Sequence, residues 1–500
     1  MSTKIERFLA GAFLIASASA QAQTAPNVSQ VLMYSATMPS GAVPSIFTET
    51  AKSTVLGGLD FGTTVGTAAN YTSNQNFVQM SNVLNASIAT ALSIIPLSSP
   101  ASGVIERKDR ATGAELAESS TLGPIFTERA ETIGKGHFYI GFSNQDFHFT
   151  RYNGVSLNAL SVLYPGGQSS QILTSATGSA LQTVPATFGL GMDVRLSQNI
   201  AFLTYGVTDR FDVSVGLPMV HSAVAARTYD GTIYAGNGAG TLGSTCWCAN
   251  TFTPGSPTLI QQQIGQASYG KTGFGDLLVR AKGTVYRKPN AVVAIGADVR
   301  FPTGDAANYL GVGTTSVKPF VAVSFYSKPL RNGVVLSPHF DAGWQFSGKS
   351  ILGAGLTPTG LSQSAAYGPP FTSNQGFLPD VFSWAGGVEL ALGRRNTLIA
   401  DVLGNQVGWI HGMPNATNET ISNLLLPTGV TADPNAVPTK GSASGLVSAG
   451  NVSFGQYSGS FGYKLKIAGN LIANFNVLVR FDNNGLTARI VPLFGLGYSF

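Results

Sequence analysis

From Gly136 onward, large apolar residues alternate with small or polar ones through most of the chain. About twelve stretches carry this period of two: 136–150, 190–205, 211–222, 276–286, 291–302, 317–326, 334–346, 381–392, 397–406, 456–466, 471–482 and 487–500. Such alternation places one set of side chains on each face of a β-strand. Every stretch is ten residues or longer. A strand that crosses a bilayer needs about 9–11 residues, whereas soluble strands average about five or six.

The connections alternate as well. "GVTDR", "RKPN", "SKPLRNG", "GRRN" and "IAGN" are turns rich in Gly, Pro, Asn and Asp. They join stretches two to three, four to five, six to seven, eight to nine and ten to eleven. The remaining connections, 151–189, 223–275, 303–316, 347–380 and 407–455, are long, apart from the final "NNGL". Short turns at one end and long loops at the other are the construction of a transmembrane β-barrel. An even strand count puts both ends of the barrel on the periplasmic side.

Charge obeys the same parity. Phe211, Val213, Val215 and Leu217 make one outward set; Leu277, Val279, Ala281 and Val285 make another. Across stretches three to twelve the opposite, lumen parity carries the charges. These are Asp212, Asp276, Arg280, Lys282, Asp298, Arg300, Lys318, Asp341, Glu389, Asp401, Lys464, Lys466, Arg480, Asp482 and Arg489. None falls on the apolar parity of those ten stretches. A bilayer enforces this, because Arg or Lys facing lipid at mid-membrane costs about 2–4 kcal/mol. Phe320, Tyr326 and His339 share the lumen parity. In the first stretch Phe138, Ile140 and Phe142 face outward and Tyr139, Phe147 and Phe149 inward, unless a bulge near Asn144 reverses the last two. Seven acids against eight bases predict cross-lumen pairing rather than an ion-selective ring.

Composition agrees. Only 11% of the 500 residues are charged and 60 are Gly, against about 25% charged in ordinary globular domains. No run of about 18 apolar residues offers a spanning helix. Residues 1–22 read as an export signal: Lys4 and Arg7, an apolar run from Phe8 to Ala16, then small residues at Ala18–Ala22. Its removal takes away Lys4, Glu6 and Arg7 and leaves +4 from +5. So small a balance predicts no nucleic-acid partner. Cys246 and Cys248 read as a loop staple in an oxidising compartment, since none of the five His lies within twenty residues to complete a metal site.

Residues 23–135 lack the alternation. One amphipathic helix is expected near 77–95, from Phe77, Met80, Leu84, Ile88, Leu92 and Ile95 at helical spacing. This segment is either a plug inside the lumen or a periplasmic cap. The organisation expected is therefore a signal peptide over 1–22, a plug or leader over 23–135 and a barrel over 136–500.

Two stretches, "YGVTDRFDVSVGLPM" (205–219) and "GFGDLLVRAKGTVYRKPNAVVAIGADVRFPTG" (273–304), carry a pattern. It comprises Tyr205-Gly206, Thr208-Asp209, Pro218, Gly273 to Asp276 and Pro302 to Asp305. This resembles the outer-membrane β-barrel family named for transport in the meta-pathway of phenol degradation, over roughly 190–500. "LGPIFTERAETIGKG" (122–136) also looks like the lead-in to the first strand of long members. The resemblance implies an outer-membrane location and passage of small aromatic or apolar molecules. It brings no catalytic residue.

Rival motifs are weaker. "GQASYGKT" (265–272) spells a phosphate-binding loop, but that loop must open a helix, and an alternating stretch follows. "GAGTLG" (238–243) lacks a βαβ setting. An outer-membrane hydrolase needs Ser, His and acid to converge. His221 and Ser222 are adjacent and must point to opposite faces. His339 lies two residues from Asp341 on the lumen parity, where the pair can hydrogen-bond or relay a proton.

The sequence thus predicts an all-β chain: an antiparallel transmembrane β-barrel of about 12 strands with an N-terminal plug or cap. Its expected role is passive passage of small hydrophobic or aromatic solutes; a general porin, an outer-membrane hydrolase and a structural or adhesive surface protein are the alternatives. The lumen-lining residues expected are Asp276, Arg280, Lys282, Asp298, Arg300, Phe320, Tyr326, His339, Asp341, Glu389, Asp401 and Arg480, with no catalytic set, cofactor or metal. Expected partners are outer-membrane lipid, a small-molecule solute and the barrel-assembly machinery. The last recognises the aromatic-ended strand closing on Phe500.

Overall fold

Twelve antiparallel strands close into one barrel. The computed structural model describes residues 27–31, 84–96, 122–175, 178–233, 263–328, 334–354, 375–393, 395–408, 410–411 and 451–500. It adds short strand pieces at 23–24, 59–60, 106–108, 115–117, 356–358, 371–373 and 413–414. The export signal (1–22), Phe77, Met80, "GAGTLG" and the two cysteines lie outside the described residues.

The barrel strands are β1 (Phe138–Phe149), β2 (Gly178–Thr208), β3 (Phe211–Ile233) and β4, in two pieces, Gln263–Phe274 and Leu277–Lys288. Next come β5 (Ala291–Phe301), β6 (Ser316–Phe325), β7 (Val335–Ser347) and β8 (Val381–Ala391). The last four are β9 (Asn396–Val407), β10 (Phe454–Ala468), β11 (Leu471–Arg480) and β12 (Ile490–Ser499). Each pairs with its neighbours in the chain. β12 returns to β1 through Leu493↔Gln145 and Tyr498↔Ile140, which closes the sheet. Closure leaves the barrel wall without an edge strand, as a lipid environment requires. All twelve alternating stretches lie on these strands.

The alternation sets what faces out. Phe138, Ile140, Phe142, Leu217, Ile295, Phe340, Phe461 and Phe494 are exposed, while their neighbours turn inward. β1 keeps one register across Asn144, so Tyr139, Phe147 and Phe149 are all buried and no bulge reverses them. Outward ionisable residues begin late on β1, at Asp146 and His148, after the polar Asn144. Asp193 on β2 lies 3.0 Å from Arg195 and 3.2 Å from His148. Eight residues of tilted strand separate Phe138 from Asp146, on the order of 20 Å of height. The charges appear where the apolar band ends.

β2 and β3 run to 31 and 23 residues, about three and two times a membrane crossing. The sequence pattern marked only their membrane halves. Beyond the rim β3 pairs with the first piece of β4 from Met219↔Phe274 onward. A further strand, Leu160–Ser175, adds to β2. The barrel thus carries a projecting sheet at its long-loop end.

Candidate functional site

Inside this wall the chain's own N-terminal residues meet the lumen side chains. Residues 122–133 form an extended strap, buried almost throughout, with no neighbouring strand. Its backbone groups still need partners, and the wall supplies them as side chains. The amides of Leu122, Glu128, Ala130 and Ile133 donate to Thr397 Oγ1 (3.2 Å), Asp341 Oδ2 (2.9 Å), Ser324 Oγ (3.0 Å) and Asp212 Oδ2 (2.9 Å). Lys464 donates to the Pro124 carbonyl (2.7 Å), Lys282 to Arg129 O (2.8 Å) and Thr284 to Ala130 O (2.9 Å). These partners come from β3, β4, β6, β7, β9 and β10. The strap therefore spans the lumen from wall to wall, at the short-turn end.

The strap's own charges are held as firmly. Glu128 lies between Arg280 Nη1 (2.5 Å) and Lys282 Nζ (2.7 Å). Arg129 is fully buried, 3.8 Å from Glu389. Burial opposes its charge, but the carboxylates of Glu389, Glu131 and Glu128 outweigh it and hold the guanidinium above its ordinary pKa.

Above the strap, residues 84–93 are helical. Leu84, Ile88, Leu92 and Ile95 are buried in one apolar cluster with Phe126, Phe147, Phe149, Leu403 and Leu478. The helical spacing expected for 77–95 is met over this described part. Leu92 O accepts from Arg300 (3.1 Å) and Pro96 O from Gln145 (2.9 Å). At the long-loop end Tyr309 donates to Asn85, and Val28 N to Asn308 Oδ1 (3.1 Å). Burial drives the Tyr309 phenol well above its ordinary pKa. The described pieces of the N-terminal segment contact lumen side chains near both ends of the barrel and in between.

The loop between β5 and β6 folds inward and closes the mouth. Tyr309, Leu310 and Val312 are buried. Asp276 anchors it, accepting from Gly304 N (3.0 Å) and Val312 N (2.7 Å), and Thr303 ties to Gly275 O (2.8 Å). The two sequence signatures, Gly273–Asp276 and Pro302–Asp305, are thus two halves of one fastening. A Cβ on Gly304 would approach Leu310 O to 2.7 Å, so the fastening needs glycine there. Gly206 has a similar reason: its Cβ would fall 1.7 Å from Gly134 O, where the strap leaves the lumen.

Between strap and mouth remains a cavity of about 100 Å³, lined by Phe126, Phe320, Trp384, Arg280, Arg300 and Lys318 among others. It is smaller than the engineered cavity of about 150 Å³ that admits benzene.

The twelve residues singled out in the sequence are all inward or partly buried in the wall. Asp276 fastens the mouth loop, and Arg300 and Phe320 face the cavity. Asp298 pairs with Arg280 within the wall (2.6 and 2.8 Å), and Arg480 with Asp482 on its own side (3.2 Å). Lys282, Asp341 and Asp401 hold the strap; Thr127 donates to Asp401 (3.4 Å). Pairing is thus within the wall or onto the strap more than across an open lumen. Tyr326 packs against the cluster that seats Ala130.

His339 pairs with Glu389, not with Asp341. Its Nε2 lies 2.6 Å from Glu389 Oε1 and its Nδ1 2.8 Å from Ser324 Oγ. Ser, His and acid do converge, yet Ser324 Oγ already accepts the Ala130 amide, all three are buried, and none lines the cavity. The set seats the strap. "GQASYGKT" lies wholly within strand Gln263–Phe274, so it makes no phosphate loop. Sequence reasoning missed Glu128, Arg129, Ser324 and Thr284. The charge cluster "ERAE" in an otherwise apolar lead-in was the available signal.

Among solved structures the chain is similar to an outer membrane channel from Pseudomonas putida F1 (10% identity, 74% of this chain, 98% of that one, TM-score 0.37). It is also similar to a FadL homologue of Pseudomonas aeruginosa (10%, 81% and 98%, TM-score 0.29). A third is the toluene transporter of Ralstonia pickettii (10%, 73% and 90%, TM-score 0.30). The architecture rests on the strand pairing itself rather than on these likenesses. No curated protein matches the chain. Residues 174–391 match the family model described as "Putative MetA-pathway of phenol degradation", and both signatures lie inside that stretch.

Proposed function

We propose that the protein is an outer-membrane channel that passes small hydrophobic or aromatic solutes by passive diffusion and rests in a plugged state. The observation that carries this is the inside of the barrel. A water-filled porin has a polar lumen, whereas here an apolar cluster runs through the lumen, Leu92, Ile95, Phe126, Phe149, Leu403 and Leu478 among its members. Apolar side chains in a passage gain from packing on a plug and from contact with an apolar solute. The family description, with its reference to phenol degradation, supports the same solute class.

In this reading the short-turn end faces the periplasm and the strap is the periplasmic gate. Export by residues 1–22 and delivery to the barrel-assembly machinery through Phe500 belong to the same proposal. Phe500 extends the β12–β1 seam, exchanging backbone hydrogen bonds with Phe138 (2.8 and 3.4 Å). Deleting Phe500 removes those bonds and an outward aromatic ring. Heat-modifiable, folded protein in outer-membrane fractions should then fall; undiminished folded protein would refute this part.

Deleting residues 24–130 while keeping 1–22 should raise single-channel conductance in planar bilayers. Replacing Phe320 and Leu403 by Ser should slow entry of an aromatic tracer more than entry of a sugar. Equal handling of both solutes by a wide-open full-length protein would leave a general porin instead.

A further inference from the structure

The strap brings its own carboxylate to a pair of wall cations. The Glu128 side chain is 7% exposed, its two oxygens 2.7 Å from Lys282 Nζ and 2.5 Å from Arg280 Nη1. A guanidinium and an ammonium converging on one carboxylate form a strong anion site. Ownership of the groups is the informative point. The cations sit on β4 and stay with the wall; the anion sits on the strap, which must leave for anything to pass. Asp298 occupies one edge of Arg280, and Asp212, the cross-strand neighbour of Lys282, accepts the Ile133 amide. When the strap leaves, Lys282 loses both of its hydrogen bonds, to Glu128 and to Arg129 O.

Beside this cation pair lies an aromatic shelf. The Arg280 guanidinium stands 5.1 Å from the centre of the Phe320 ring. Phe126, Phe320 and Trp384 line the adjoining cavity together with Arg280 and Glu128. A flat ring bearing one carboxylate matches that surface: the ring on the aromatic side chains, the carboxylate on the cations. We propose that the channel's solutes include small aromatic carboxylates, and that the solute carboxylate replaces Glu128 between Arg280 and Lys282 and so unseats the strap. This rests on the channel reading above and names a solute class for it.

The test is calorimetric binding to the detergent-purified full-length chain, with sodium benzoate as probe and benzyl alcohol as its uncharged counterpart. Glu128→Gln removes the internal competitor. Benzoate should then bind about tenfold more tightly than to the wild type, as expected if Glu128 fills the site about nine-tenths of the time. Benzyl alcohol should change less than about twofold by the same reasoning. Lys282→Met, which leaves Glu128 in place, should abolish benzoate binding. The heat-modifiable gel shift verifies folding of each variant. Should Glu128→Gln fail to fold, Glu128→Asp gives the same reading through a smaller tightening, alongside Lys282→Met. Equal benzoate affinity in wild type and variant, or an equal gain for benzyl alcohol, overturns the carboxylate site while leaving an aromatic channel standing. Tight benzoate binding without any aromatic-tracer entry into cells would do the reverse.

Discussion

Ile295 and Ala294 show how far a one-residue step changes the environment. Ile295 is 55% exposed on the outer face, and Ala294 is 0% exposed against Phe320, Ala322 and Ala130 of the strap. Ile295→Arg puts a charge into lipid and should cost about 2–4 kcal/mol near the midplane. From parity alone, Ala294→Arg looks like a milder, lumen-facing change. The structure alters that expectation, because the site is filled. The barrel wall should survive Ala294→Arg, but the strap must shift. Denaturant unfolding in lipid vesicles should therefore separate the two: loss of barrel stability for Ile295→Arg, and near wild-type unfolding with raised conductance for Ala294→Arg. Equal loss of barrel stability from both would contradict the register. Direction was legible in the sequence at these positions, since it follows from a period of two. Occupancy was not, because the neighbour of Ala294 lies 164 positions away at Ala130.

At the scale of elements the same division holds. The twelve strands were legible because each is long, alternating and bounded by turn residues or long loops. The outer halves of β2 and β3 were not, since outside the bilayer nothing forces one face to be free of polar groups. The strap was read as a lead-in to the first strand, at the end of a segment expected to be a plug or a cap. An extended segment with no sheet partner has no periodicity of its own, and its hydrogen bonds come from Ser324, Thr284, Asp341, Lys464 and others scattered over six strands. The lumen charges were located by parity, but their use was not. Counting seven acids against eight bases suggested pairs across the lumen, whereas much of that charge is spent on the strap. His339 illustrates the reason. Asp341 is its neighbour in sequence, but Glu389 reaches it from the next strand, through the His339↔Gly387 register.

At the scale of the whole molecule, the passage has two closures that share few groups. The strap hangs from Asp212, Lys282, Ser324, Asp341 and Lys464 at the short-turn end. The mouth loop hangs from Asp276, through the Gly304 and Val312 amides, at the other. Two constrictions along one path act as resistances in series, so opening one leaves the current limited by the other. Asp276→Ala removes the only side-chain acceptor that those two amides have among the described residues, but the strap still shuts the path, and conductance should barely rise. Deleting residues 24–130 opens the lower closure, strips the mouth loop of its bonds to Val28 and Asn85, and should raise conductance to the limit set by the loop that Asp276 still holds. The two changes together should give a conductance well above the sum of the two separate gains. Single-channel recordings on the four proteins, at equal salt and voltage, measure this directly. A combined gain equal to the sum would mean two parallel paths. A full gain from Asp276→Ala alone would mean that the strap does not block the passage at all. The excess is expected because the described N-terminal residues stand near both ends of a barrel whose wall, in turn, provides the hydrogen-bond partners that keep them there.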